Sequence, residues 1–189
     1  MTSFSIHTQA TAPAASQPLL TAVQGKYGFV PNLLAGMAEA PNVLKAYLDL
    51  AGATAAGTLT GLEQQIVQIV TSRLNSCEYC VAAHSTVSDM QKLPADVINA
   101  IREGKTIADS KLQALQQFTT AVVKSGGLPS TGDVDAFLKA GYTKAQSLEV
   151  VLSIGLKTIA NYIEHVIHAP LDAAFQPRQI KLQADTKAA

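Results

Sequence analysis

The amino-acid sequence predicts an all-α domain, and three observations carry that expectation. Apolar residues recur at helical spacing, as in Leu62, Ile66, Ile69, Val70 and Leu74. Two segments, Thr60-Gly61-Leu62-Glu63 and Thr143-Lys144-Ala145-Gln146, open with the reciprocal capping pattern that starts a helix. No stretch alternates convincingly with period two, and no turn dipeptide separates two β-branched runs.

Taken in order, the chain reads as about eight helices. Residues 1–18, rich in Ser, Thr, Ala and Gln, are expected to form a flexible tail. A short helix begins at Leu19 and closes at Gly28; another starts at Pro31, an allowed first-turn proline. Pro41 opens a helix to about Ala55, with Val43, Leu44, Tyr47, Leu48 and Ala51 on one stripe. The helix capped by Thr60 breaks at Asn75-Ser76, and Ser76 is expected to cap the next one, which carries Cys77 to about Gln91. Pro94 to Gly104 is a short helix. Asp109 caps the next, which Gly126-Gly127 stops. Ser130 to Gly141 is short again, and Thr143 opens the longest helix, ended by Pro170. Residues 19–175 form one domain, and 176–189 are expected to be a tail that frays from Arg178. A shift of 81 residues lays Gln65 on Gln146, Ser72 on Ser153 and His84 on His165, a weak sign of two similar halves.

The chain has 189 residues, enough for one domain. Hydrophobic residues make up 48% and charged residues only 15%, against roughly 25% in an ordinary domain. A surface so sparsely charged points to subunit contacts and a homo-oligomer. Net charge is zero and there is no basic stripe, so nucleic acid is not an expected partner. The N-terminus lacks the basic and apolar regions of a secretory signal, and no apolar run reaches the roughly 18 residues of a membrane helix. A soluble cytoplasmic protein is the expectation. There two cysteines stay reduced or cycle rather than form a permanent staple.

Both cysteines and one of the four histidines fall in Cys77-Glu78-Tyr79-Cys80-Val81-Ala82-Ala83-His84. On a helix this C-x-x-C-x-x-x-H pattern puts two thiols and an imidazole on one face. A free cysteine has a pKa near 8.5 and attacks only as thiolate. A helix N-terminus lowers that value at Cys77; His84, one turn below Cys80, can take or share its proton. A thiolate that attacks a hydroperoxide becomes a sulfenic acid, and the second thiol condenses with it to a disulfide. Thiol exchange must then restore the dithiol. No dinucleotide motif is present and no cofactor is expected, so electrons come from a dithiol reductant or a thioredoxin- or lipoyl-type protein. Zinc is the rival reading, because Cys, Cys and His are all zinc ligands. With no third cysteine, a closed site would need His165 or His168, and no metal is expected. Tyr79 reads as packing or pocket wall.

The stretches Leu62 to Val67 and Arg73 to His84 resemble the alkylhydroperoxidase D-like branch of the carboxymuconolactone decarboxylase-like superfamily. Lys26-Tyr27-Gly28-Phe29-Val30-Pro31-Asn32-Leu33-Leu34, Asn161-Tyr162-Ile163-Glu164-His165 and Pro170-Leu171-Asp172 extend the likeness over about residues 19–175. The resemblance implies an all-α fold, trimers or hexamers, and peroxidase activity through the cysteine pair. It makes Cys80 the peroxide-reactive thiol, Cys77 the resolving thiol and His84 the acid–base group. The family pattern places a proton-relaying glutamate twelve residues before the first cysteine, where this chain has Gln65. Glu63 lies two residues earlier, about 200° round the helix, and is already the capping residue. Gln65 or Glu63 is therefore the group expected to orient water. His165 and Asn161 read as bonding helix ends or a neighbouring subunit.

Two functions follow as expectations. One is a cysteine-dependent reductase of hydroperoxides. The other is a non-catalytic redox-sensing or assembly protein of the same fold, whose dithiol cycles without turnover.

Overall fold

A computed structural model describes residues 4–182. The described residues form nine α-helices: α1 (Gln17–Tyr27), α2 (Asn32–Met37), α3 (Pro41–Ala55), α4 (Gly61–Leu74), α5 (Glu78–Met90), α6 (Ala95–Glu103), α7 (Ser110–Lys124), α8 (Thr131–Lys139) and α9 (Lys144–Ile167). A 3-10 turn, Ala173–Arg178, follows, and no strand is present among the described residues. The all-α expectation holds, and both expected capping boxes form, at Thr60/Glu63 and Thr143/Gln146.

The central helix is α4, buried over most of its circumference and packed on α5, α6, α7 and α9. Two cores flank it. One joins α4 to α6, α7 and α8 through Ile66, Ile69, Ile98, Leu115 and Phe137. The other joins α1, α2 and α3 to α5 and includes Leu20, Leu44, Cys77 and Cys80. The long helix α9 lies against both α3 and α4. Among the described residues it alone is long and apolar enough to cross a membrane. Its face at Val150, Ser153, Ile154, Lys157 and Asn161 is buried inside the protein.

The corner between α4 and α5 is tighter than the sequence reading allowed. Ser76 is not the cap of α5: it takes a left-handed conformation, φ 60°. Its N–H donates to Arg73 O, and Cys77 N–H donates to Ser72 O at 2.9 Å, the paired bonds of a Schellman ending. Cys77 itself becomes the N-cap of α5, its sulfur accepting from Cys80 N–H at 3.3 Å. Asn161 on α9 fastens this corner. Its Oδ1 accepts from Asn75 Nδ2 at 3.0 Å and its Nδ2 donates to Ser72 Oγ at 3.3 Å. The 81-residue shift pairs the broken α4–α5 unit with α9, which runs unbroken.

The ends of the domain also differ from the expected tails. Within the expected 1–18 tail, Ala12 and Ser16 are buried, and Ser16 Oγ donates to Ala38 O at 2.7 Å. Within the expected 176–189 tail, Arg178 bonds Asp89 through two nitrogens and Asn99 through a third. Ile180 and Leu182 pack on the core, and Leu182 N–H donates to Glu78 Oε1. Hydrogen bonds and apolar contacts thus anchor both segments; positions 1–3 and 183–189 lie outside the described residues.

The left-handed corner is a stability test. Ser76→Gly is expected to leave stability unchanged or raise it. Ser76→Val, which adds a β-branch where φ is positive, is expected to lower it by about 1–2 kcal/mol in urea unfolding.

Candidate functional site

Three helices bring the site together: α4 supplies Gln65, α5 supplies Cys80 and His84, and α9 supplies Lys157. The sulfurs of Cys77 and Cys80 lie at bonding distance, with their Cα atoms 5.3 Å apart, as a closed C-x-x-C pair. Cys80, His84 and Lys157 share the wall of a cavity of about 190 Å3. The opposite wall is apolar and aromatic, with Phe29, Tyr47, Leu48 and Phe175. Tyr79, expected as packing or pocket wall, lines this cavity, and its hydroxyl donates to Asp172 Oδ2 while accepting from Leu33 N–H.

His84 is held at both ring nitrogens. Nδ1 lies 2.9 Å from Gln65 Oε1, and Nε2 lies 2.8 Å from Lys157 Nζ. An amide oxygen only accepts, so Nδ1 carries the proton and Nε2 accepts from lysine. Burial, and then the Lys157 charge, hold His84 well below the usual histidine range. The imidazole is therefore neutral. Lys157 is 2% exposed, and desolvation lowers its pKa to about 7. Among the described residues no carboxylate lines the cavity.

The other sulfur faces a different environment. Cys77 Sγ lies 3.8 Å from Glu164 Oε2, and burial pushes the Glu164 carboxyl up. Cys77, Glu164 and His165 offer donor atoms within 4.8 Å of one another. His84, whose nitrogens turn to Gln65 and Lys157, is not among them. The Cys, Cys, His set weighed as a zinc site is thus divided between two environments.

Of the residues singled out from sequence, Cys80 and His84 line one cavity, Gln65 bonds His84 from α4, and Cys77 reaches the cavity only through its pairing with Cys80. Glu63 does not join them. Its Oε2 accepts from Thr60 N and Oγ1, and Oε1 lies 3.8 Å from Lys111. Asn161 bonds the helix end at Asn75, as expected for a structural residue, and His165 lies 3.9 Å from Glu164. Lys157 and Glu164 were missed. The signal was present: Lys157, Asn161 and Glu164 stand at i, i+4 and i+7, a polar stripe on an otherwise apolar helix face.

Comparison with known proteins finds one family match over part of the chain and several shared folds. Residues 41–121 match the model of the Carboxymuconolactone decarboxylase family, a span that holds Gln65, both cysteines and His84. No curated protein matches the chain. Among solved structures, the alkylhydroperoxidase AhpD core from Ralstonia eutropha JMP134, described as an uncharacterized peroxidase-related protein, superposes with TM-score 0.81. It is 23% identical, over 91% of this chain and 93% of its own. A peroxidase-related protein from Silicibacter sp. TM1040 gives TM-score 0.77 at 18% identity, covering 88% and 89%. The debrominase Bmp8, as a C82A variant with 2,3,4-tribromopyrrole, gives 0.80 at 17% identity, covering 94% and 96%. The resemblance to the alkylhydroperoxidase D-like branch is borne out, and the fold is that of these proteins.

Burying a lysine this way works against stability, and the sign is fixed. Its folded pKa lies below its unfolded value, so the penalty is complete below about pH 7 and fades as pH rises toward 10.5. Lys157→Met is expected to stabilise the protein by about 1–4 kcal/mol at pH 6. The gain should shrink toward zero near pH 10, read as the difference between variant and parent in urea unfolding.

Proposed function

We propose that the protein is a cysteine-dependent reductase of hydroperoxides, working through a Cys77–Cys80 dithiol/disulfide cycle. The observation that carries this reading is the pairing of two sulfurs at bonding distance with a cavity that only one of them lines. Cys80 shares its wall with His84 and Lys157; Cys77 lies against Glu164 instead. Cys80 is then the nucleophile. Its thiolate attacks the terminal oxygen of ROOH, an S–O bond forms, the O–O bond breaks, and the alkoxide leaves with a proton as ROH. Cys77 attacks the resulting sulfenic acid, an S–S bond forms, and water departs. Two thiols and one peroxide give one disulfide, one alcohol and one water. Proton handling falls to the His84–Lys157 pair, with Gln65 fixing the imidazole. A dithiol reductant or a thioredoxin- or lipoyl-type protein reopens the disulfide, in keeping with a reducing cytoplasmic setting.

The aromatic wall of the cavity supports a second reading. Phe29, Tyr47 and Phe175 offer aromatic surface to a flat halogenated ring, and the debrominase has the same fold. There Cys80 would take the halogen, the ring carbon would gain a proton, and Cys77 would displace halide as the disulfide closes. The redox-sensor alternative needs the same disulfide but no turnover.

A homo-oligomer is part of the same proposal. Leu148, Val151, Ile159, Tyr162 and Val166 are exposed along α9. They form one stripe roughly opposite its buried face. Such a stripe on a sparsely charged chain suits a second copy of this chain.

Three measurements test these statements. Reduced protein treated with one equivalent of an organic hydroperoxide is expected to lose both thiols, form an intramolecular disulfide, and turn over when a dithiol is supplied; thiols that stay unreacted would reject the peroxidase reading. A brominated pyrrole run in parallel reports halide release if the second reading holds. In light scattering the parent should run as a trimer or hexamer, and Val151→Glu with Tyr162→Lys should shift it toward monomer.

A further inference from the structure

We propose that Lys157 is the residue that holds the working proton of the Cys80 cavity, and that His84 acts as its orienting partner. This rests on the dithiol reading above and deepens it. The family's pattern puts the proton acceptor on α4, where this chain has Gln65, a group that accepts a hydrogen bond but not a proton. The geometry supplies the missing base from α9 instead.

His84 has no ring nitrogen left for a second task. Nδ1 is bound to Gln65 Oε1 and Nε2 to Lys157 Nζ. Among the described residues Lys157 has a single hydrogen-bond partner, that same Nε2, while an ammonium carries three donors. The side chain is 2% exposed and lines the cavity beside Cys80. Two donor positions are thus open to a thiolate, a water or a substrate oxygen.

The groups around Lys157 leave it the titrating one. From α5 come His84, kept neutral, and Cys80. From α3 comes Tyr47, whose phenol burial pushes up and away from neutral pH. From α4 comes Gln65, which does not titrate. Lys26 and Tyr27 of α1 and Tyr79 of α5 complete the titratable lining. Desolvation is the cause that brings the lysine near neutrality.

The cycle then balances at this residue. Neutral Lys157 takes the Cys80 proton and becomes ammonium, held by His84 Nε2 and paired with the thiolate. The thiolate donates its electron pair to the terminal peroxide oxygen. The O–O bond breaks, and the ammonium returns its proton to the leaving alkoxide.

The test needs no peroxide. In a Cys77→Ser background Cys80 is the sole thiol, because the chain has two cysteines. Its alkylation by iodoacetamide is followed from pH 5.5 to 9. With Lys157 present the rate should rise through an inflection at or below neutral pH. In Lys157→Met the inflection should move to 8.5 or above, with the rate at pH 6.5 reduced roughly tenfold or more. Lys157→Arg keeps a cation that does not titrate. It should retain the low inflection yet lose hydroperoxide turnover in the two-cysteine protein, because arginine returns no proton. Superimposable profiles for Lys157 and Lys157→Met would overturn the proposal. A shifted profile in a protein that consumes no hydroperoxide would support the proton assignment while rejecting the peroxidase reading.

Discussion

The site depends on one left-handed residue. Ser76 turns the chain between α4 and α5 in the fewest residues a Schellman ending allows. Cys77 therefore does two things at once: its N–H closes α4 and its sulfur caps α5. The first turn of α5 then directs Cys80 into the cavity, with His84 a turn further on. A longer loop would leave the first sulfur uncommitted and the second without a fixed direction. Asn161 fastens this corner from α9 with bonds to both Asn75 and Ser72; the bond to Ser72 is buried, where losing a partner costs about 1–3 kcal/mol.

The same helix that fastens the corner also equips it. One face of α9 carries Lys157 toward His84, Asn161 toward the corner and Glu164 toward Cys77. Each stands about a turn from the next, so one rigid helix sets all three distances. The opposite face carries the exposed apolar stripe. Subunit contact on that outer face, as proposed, would leave the helix little freedom to tilt and stiffen the inner face. The buried ammonium works against folding, and a feature that lowers stability in this way is what a site tuned for chemistry tends to contain.

Much of this was legible in the sequence, and the limits were physical. Helical spacing and capping boxes fixed the class and most helix bounds, because both are local. The C-x-x-C-x-x-x-H pattern located the dithiol for the same reason. Ser76 was misread because serine is a common N-cap, and nothing local reveals that φ will be positive there. Glu63 was rightly read as a capping residue, and that bond is what withholds it from His84. Ser16 and Arg178 are anchored by partners far away in sequence, Ala38, Asp89 and Asn99. Lys157 and Glu164 were missed because a lysine or glutamate on a helix is usually on its solvated face. Only the approach of α4 and α5 buries Lys157 and half-buries Glu164.

Gln65 and Lys157 belong together. A glutamate at position 65 would place a carboxylate against His84, and through the imidazole it would hold Lys157 as ammonium. A lysine already protonated cannot take a proton from Cys80. Glutamine avoids this. It keeps the hydrogen bond that fixes the Nδ1–H tautomer, adds no charge, and leaves Nε2 facing Lys157 as an acceptor. The neutral amide is therefore consistent with a base on α9, an amine where a glutamate at position 65 would have supplied a carboxylate. Since a cation near a thiolate lowers its pKa where an anion would raise it, a site so arranged would activate Cys80 by direct attraction as well as by proton removal. On the proposed reading, what reads in the sequence as a missing relay at Gln65 would be the condition under which Lys157 could work.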